Sequence, residues 1–175
     1  KLKKKICCVL VEPIQGGFPT SEGIKYLKFL NQYCKQNKII LFFDEILTGI
    51  RVNSSSVQNI FKIKSEISTF GKIIGGGMPI GVIGVSKNIV SILQKRKKKV
   101  FFGGTYSGNP LTTFVGNETL KFILKNKKKI FPKIEGHSRF LHNKLNKYIN
   151  LNNIDAKVIR FHSLVRIIFS KANIQ

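Results

Sequence analysis

Apolar residues along this chain alternate between short unbroken blocks and longer stripes at helical spacing. Residues 6–11 form a block rich in Ile, Val and Leu that ends at Glu12-Pro13, a pattern that predicts a buried strand stopping at a loop. Beyond the Gly- and Pro-bearing loop at 14–20, Ile24, Leu27, Leu30 and Cys34 recur every three or four positions. This spacing predicts a helix capped by Thr20 or Ser21, beginning near Glu22 and ending near Asn37. Residues 38–43 form a second block, which runs directly into Asp44 and Glu45. Strand, helix and strand of these lengths predict a βαβ unit whose right-handed crossover leaves the strands parallel. Ligands of such sheets bind beyond the carboxyl ends of the strands, which is where Asp44 falls.

The pattern continues through a polar loop at 48–56, a short helix at 57–61 and a short strand at 67–70 that delivers Lys72 to the same rim as Asp44. A further strand is expected at 82–85 and a helix at 88–95. Asn109 before Pro110 makes a good N-cap and first-turn pair, opening a helix through Phe114, Leu120 and Leu124. From Ile130 the character changes. Phe140, Leu141, Leu145, Tyr148 and Ile149 predict an amphipathic helix, and 157–161 and 164–169 predict two strands joined by a tight turn at His162-Ser163. The expected fold class is therefore α/β. Residues 1–126 belong to a large domain with a mostly parallel sheet flanked by helices, and 127–175 start a small C-terminal α+β domain, with the Lys-rich segment near Lys127 as the junction.

Composition changes this picture little. At 175 residues with 42% hydrophobic content the chain has the size and makeup of a globular domain. The formal charge of +23 would ordinarily suggest nucleic acid or an anionic surface. The basic residues are mostly Lys spread among Asn and Ile, and the denser blocks at 3–5, 95–99 and 125–129 lie between apolar segments where loops or helix ends belong. A solvated surface accounts for them, and a nucleic-acid partner is disfavoured. Such a partner would also call for stacking aromatics among the lysines, whereas Phe42, Phe43, Phe101 and Phe102 lie in strand-like apolar runs. Cys7, Cys8 and Cys34 match neither a disulfide framework nor a zinc site, so no metal is indicated and a reducing, cytoplasmic compartment fits best. The lysines before residue 6 mimic a secretory leader, but the apolar run is too short and lacks a cleavage site. No apolar run reaches the roughly 20 residues needed to span a membrane.

The candidate chemistry centres on the stretch Ser68-Thr69-Phe70-Gly71-Lys72-Ile73-Ile74-Gly75-Gly76-Gly77-Met78-Pro79-Ile80-Gly81. A lysine attacks a carbonyl only when unprotonated, which requires dry or positively charged surroundings; Phe70, Ile73, Ile74, Met78 and Ile80 could supply dryness. The glycine run removes Cβ atoms where the backbone must turn tightly or admit a close neighbour, here read as a ligand. Further on, Gly103-Gly104-Thr105 precedes the helix start at Asn109-Pro110. Freed amides, a hydroxyl and a helix N-terminus make that segment a candidate phosphate cradle. Glu12 either orients the site or only ends a strand. Glu45 and Arg51 fit local ion pairing or structure better than chemistry, and His137, His142 and His162 show no ligand spacing.

Taken in order, VEPIQGG (11–17), FFDEILTGIRV (42–52), STFGKIIGGGMPIG (68–81) and GGTYSGNP (103–110) strongly resemble the class III, pyridoxal-phosphate-dependent aminotransferases, and within them the glutamate-1-semialdehyde 2,1-aminomutase branch. The resemblance implies fold type I, a transferase or isomerase activity, and a homodimer with active sites shared between subunits. It also assigns roles. Lys72 would form the Schiff base with pyridoxal 5'-phosphate and carry the proton. Asp44 would pair with the pyridinium nitrogen, keeping the ring an electron sink. Ile46 would pack on the ring face, and Gly104 and Thr105 would hold the phosphate of the neighbouring subunit's cofactor. The reaction implied is amino transfer between an amino donor and a carbonyl compound, with the intramolecular aminomutase reaction as the alternative. A basic nucleic-acid-binding domain and a non-catalytic remnant are the rivals from other classes. Where the family often places a polar partner for the ring's phenolic oxygen, this chain has Gly17 and Leu47. The family's N-terminal portion has no counterpart here, so the chain is expected to be a fragment that is inactive by itself.

Overall fold

The computed structural model describes residues 5–95, 100–101 and 103–169. Four strands, β1 (Cys8–Val11), β2 (Ile40–Asp44), β3 (Ile67–Gly71) and β4 (Gly81–Val85), form one sheet in the order β1-β2-β3-β4. The first three run parallel and β4 is antiparallel to β3, so the sheet is mostly parallel as the sequence predicts. Between β1 and β2 lies the expected helix α1 (Ile24–Gln36), which buries Leu27, Leu30 and Cys34. It starts at Gly23, and neither Thr20 nor Ser21 caps it with a side chain. Ile24 N instead donates to the Ser21 carbonyl oxygen at 3.1 Å, so a backbone turn sets the helix entry.

The main core lies between α1, the sheet and the helix α2 (Val57–Phe61), with Leu41, Phe43, Val57 and Ile63 almost fully buried. Phe43 alternates inward with Leu41 on β2, the period of two expected of a strand. The first strand departs from its expected full burial, with Leu10 60% exposed. Ile83 on β4 is 61% exposed. Both belong to the outer strands, where the sheet faces are incompletely covered within this chain.

After helix α3 (Lys87–Gln94), a single helix α4 (Pro110–Leu151) runs for 42 residues through the predicted domain junction, where two helices were expected. Asn109 caps it as predicted, its Oδ1 accepting from Thr112 N at 3.1 Å with Pro110 in the first turn. The Lys125–129 block is thus the solvated middle of a helix rather than a loop. Pro132 sits in the same stretch and removes one helical N–H donor.

The C-terminal hairpin of β5 (Ala156–Phe161) and β6 (Leu164–Phe169) forms around the predicted two-residue turn, with His162 in the left-handed region at φ 49°. Asn146 of α4 locks β5 in place, donating to Val158 O at 3.0 Å and accepting from Val158 N at 2.9 Å. The hairpin also reaches back to α2 and the loop before it: Phe161 packs on Phe61 with ring centroids 5.8 Å apart, and Ser163 Oγ donates to the Arg51 carbonyl at 3.1 Å.

A small ionic cluster fastens the turn to α4. Arg160 Nη1 lies 2.7 Å from Glu135 Oε1 and donates to the His162 carbonyl at 2.8 Å, while His162 Nδ1 lies 3.3 Å from Glu135 Oε2. Burial pushes the Glu135 carboxyl up, but the Arg160 hydrogen bond and charge, with His162 and Arg139, outweigh it and hold it below the ordinary value. Because the folded-state value is the lower one, this group stabilises the fold above the usual carboxylate range, and that stability is lost as pH falls through it. Unfolding followed against pH is therefore expected to show an acid limb that is shallower in Glu135→Gln, with a cost of about 1 kcal/mol at neutral pH for the partly exposed pair.

Candidate active site

Asp44 is the last residue of β2 and lies level with Thr69 on the adjacent β3, while Lys72 follows β3 after one glycine. Both predicted functional residues are thus delivered to one rim by neighbouring parallel strands. The Asp44 carboxylate is oriented by two donors on a single oxygen: Ile46 N at 3.0 Å and the Thr69 hydroxyl at 3.2 Å, both to Oδ1. Among the described residues Oδ2 has no hydrogen-bond partner.

Gly71 brings the Lys72 backbone against Ile46. A Cβ on Gly71 would sit 3.2 Å from Ile46 Cγ2 and 3.2 Å from the Ile80 carbonyl oxygen, so the strand end passes close to the residue expected to flank the ligand. Lys72 opens a single 3-10 turn, Lys72–Gly75, with φ 50°. A left-handed backbone at a non-glycine residue costs roughly 1–2 kcal/mol, so the surrounding fold holds Lys72 in a strained position. Its side chain is exposed and makes no ion pair or hydrogen bond among the described residues. The expected apolar neighbours do not enclose it: Ile74 turns into the interior, 3% exposed, and Phe70 lies over Gly49, where any Cβ would collide with its ring.

Within the glycine run, Gly76 makes a close approach to a helix. Gly76 takes φ 59°, and a Cβ there would strike Thr119 Oγ1 and lie 3.1 Å from Val115 of α4. Gly116 on the helix side likewise passes close to the Ile74 carbonyl oxygen. The missing Cβ atoms admit a helix, which anchors the turn carrying Lys72.

Glu45, next to Asp44, points the other way and is fully buried. Its Oε2 accepts from Val57 N at 2.7 Å, the first amide of α2, and its Oε1 accepts from Gln58 Nε2 at 3.1 Å. Gln58 extends the network to Ser68 Oγ at 2.9 Å and Ser65 N at 2.9 Å. Burial raises the Glu45 carboxyl, opposed by these hydrogen bonds. The role is structural, as expected, but it runs through hydrogen bonds; among the described residues neither Glu45 nor Arg51 makes an ion pair. Glu12 also acts locally, accepting from Gly16 N at 2.7 Å and holding the following loop against Leu47.

Gly104 and Thr105 lie in an exposed turn that, with Pro79–Gly81 and the start of α4, lines a separate open cleft containing neither Lys72 nor Asp44. Its Gly81 pairs with Gly71, the residue before Lys72. Phe101 is exposed and outside any strand, unlike its expected position, and Phe102 lies outside the described residues, as do 1–4 and 96–99 of the lysine blocks. Thr69 and Gln58 are the site-supporting residues that sequence reading passed over. Each has a polar neighbour in its element, Ser68 beside Thr69 and Asn59 beside Gln58, so the local pattern does not single them out.

A family model for class-III aminotransferases matches residues 1–162. The glutamate-1-semialdehyde 2,1-aminomutase of Thermosipho melanesiensis is 36% identical over 171 residues, 97% of this chain and 40% of that protein. Among solved structures, an omega-transaminase from Sphaerobacter thermophilus aligns with a TM-score of 0.86 at 22% identity, over 97% of this chain and 39% of its own. A transaminase with PLP bound aligns with a TM-score of 0.85 at 23% identity, over 98% of this chain and 40% of its own. The chain thus spans about 40% of the length of the proteins it matches.

Proposed function

Because the chain belongs to the class-III aminotransferase family, we propose that the protein carrying it moves an amino group between an amino donor and a carbonyl compound, with pyridoxal 5'-phosphate as cofactor. The observation that carries this reading is the pairing of Asp44 with Thr69 on adjacent strand ends, three residues before Lys72.

The residues present suit the cofactor. Asp44 keeps one carboxylate oxygen for the protein and has its other oxygen free for a cationic ring nitrogen, and Lys72 has an amine with no protein partner among the described residues. When bound, the cofactor supplies an electron sink for the charge that develops at the amino-bearing carbon. Lys72 Nζ holds the cofactor covalently, and takes and returns the proton at that carbon. Asp44 Oδ2 keeps the ring nitrogen protonated. Ile46, two residues past the strand end and 36% exposed, would pack on the ring face.

Gly104 and Thr105 serve the cofactor of a second subunit, as the family resemblance implies, so the working form is a homodimer. Exposed apolar residues on β4 and α4, such as Ile83 and Phe114, are surfaces that further chain and a partner would cover. Residues 1–126 then belong to the large domain and 127–175 to the small one, with α4 passing between them. The three free cysteines are in keeping with a cytoplasmic setting, and among the described residues no helix is long and apolar enough to cross a membrane.

The aminomutase reaction is a second reading, favoured by the names of curated relatives at 34–39% identity. The two separate in one assay on the full-length protein. Turnover of glutamate 1-semialdehyde alone supports the mutase, whereas ping-pong kinetics with a separate donor and acceptor support the aminotransferase. The 175-residue chain alone is expected to give neither, and turnover by it would contradict its reading as an inactive fragment.

A further inference from the structure

We propose that Thr69 is a positioning residue for Asp44, fixing the plane in which its carboxylate faces the cofactor; this rests on the proposed function. Unrestrained, the carboxylate could twist about its terminal bond and turn its second oxygen out of line with a ring nitrogen. Two donors prevent this by converging on Oδ1: the main-chain N–H of Ile46 at 3.0 Å and the Thr69 hydroxyl at 3.2 Å. The first comes with the turn after β2, and any residue at 46 other than proline would supply it. The second depends on one side chain.

Thr69 is itself held firmly. It is paired with Asp44 in the β2–β3 register, its carbonyl accepts from Glu45 N at 3.0 Å, and it pairs on its other side with Ile83 of β4. A hydroxyl on a central strand, fixed on both flanks, makes a rigid donor. Because Thr69 lies on β3 three residues before Lys72, which opens the turn directly after that strand, the same backbone that places the amine also sets the carboxylate. Orientation of the anion and position of the nucleophile are thereby linked through β3.

The test uses the full-length protein, with Thr69→Val and Thr69→Ser. Valine keeps the branched shape and strand preference but removes the hydroxyl, and serine keeps the hydroxyl. The readouts are the dissociation constant for pyridoxal phosphate, followed by absorbance, and the melting temperature of the cofactor-free protein. A hydrogen bond to a charged group supports about a tenfold loss of cofactor affinity in Thr69→Val. Thr69→Ser is expected to stay within about twofold of the parent, both variants should melt with it, and in an Asp44→Ala background Thr69→Val should cost nothing further. Unchanged affinity in Thr69→Val, or equal losses in both variants with lowered melting temperatures, overturns the positioning role. Failure of the parent to bind the cofactor at Lys72 overturns the proposed function itself, and with it this inference.

Discussion

Replacing Lys72 by alanine is expected to slow amino transfer by the full-length protein by about 10⁴-fold, the upper range for loss of a positioned acid–base group. Lys72 is expected to do two jobs that no other described side chain at this rim can share. It anchors the cofactor and it moves the proton at the reacting carbon. Asp44 is engaged as an anion and Glu45 is turned away into the interior. The loss is expected without unfolding. The side chain is exposed and unpaired among the described residues, so its truncation removes little packing, and stability should change by no more than about 0.5 kcal/mol. Steady-state rates and a denaturant titration of the same preparation check both halves. A large loss of stability would mean that the lysine supports the fold.

Asp44→Asn is the second large effect, with an expected loss of about 10²–10³-fold, comparable to removal of one preorganised electrostatic group. Asparagine is nearly isosteric and its amide oxygen can still accept from Ile46 N and Thr69. What it lacks is the negative charge that keeps a ring nitrogen protonated. The variant should therefore retain cofactor at Lys72 yet turn over slowly, with the change in kcat rather than in the melting temperature. Equal activity in Asp44→Asn would show that the charge of Asp44 is not used.

The placement of Asp44 and Lys72 was legible because strand ends and turn chemistry are local. Asp44 and Lys72 each follow an apolar block too short for a helix, and parallel strands of a βαβ unit bring such ends to one edge. The hairpin turn at His162-Ser163 and the cap at Asn109-Pro110 were legible for the same reason. What escaped depends on contacts distant in sequence. The glycine run is shaped by Thr119 and Val115, some forty positions away, and no spacing rule connects them. Glu45 is explained by Gln58 and Val57, which a loop brings back beneath it. Thr69 depends on the register of β3 against β2, and a slip of one residue would have turned its hydroxyl to the opposite face.

The continuity of α4 shows a different limit. The lysine block near Lys127 reads as a junction, yet Lys is a good helix former. The helix is also pinned at both ends, by the Gly76 turn and by Asn146 on β5. Exposure of Leu10 and Ile83 has the reverse origin: strands composed for burial keep that composition even where this chain supplies no cover.

The most direct test of the central claim is to incubate the full-length protein with pyridoxal phosphate, reduce it with borohydride and map the modified peptide. The account predicts a single stable adduct on Lys72, absent from Lys72→Ala. Modification spread over the many surface lysines, or persisting undiminished in Lys72→Ala, would contradict it.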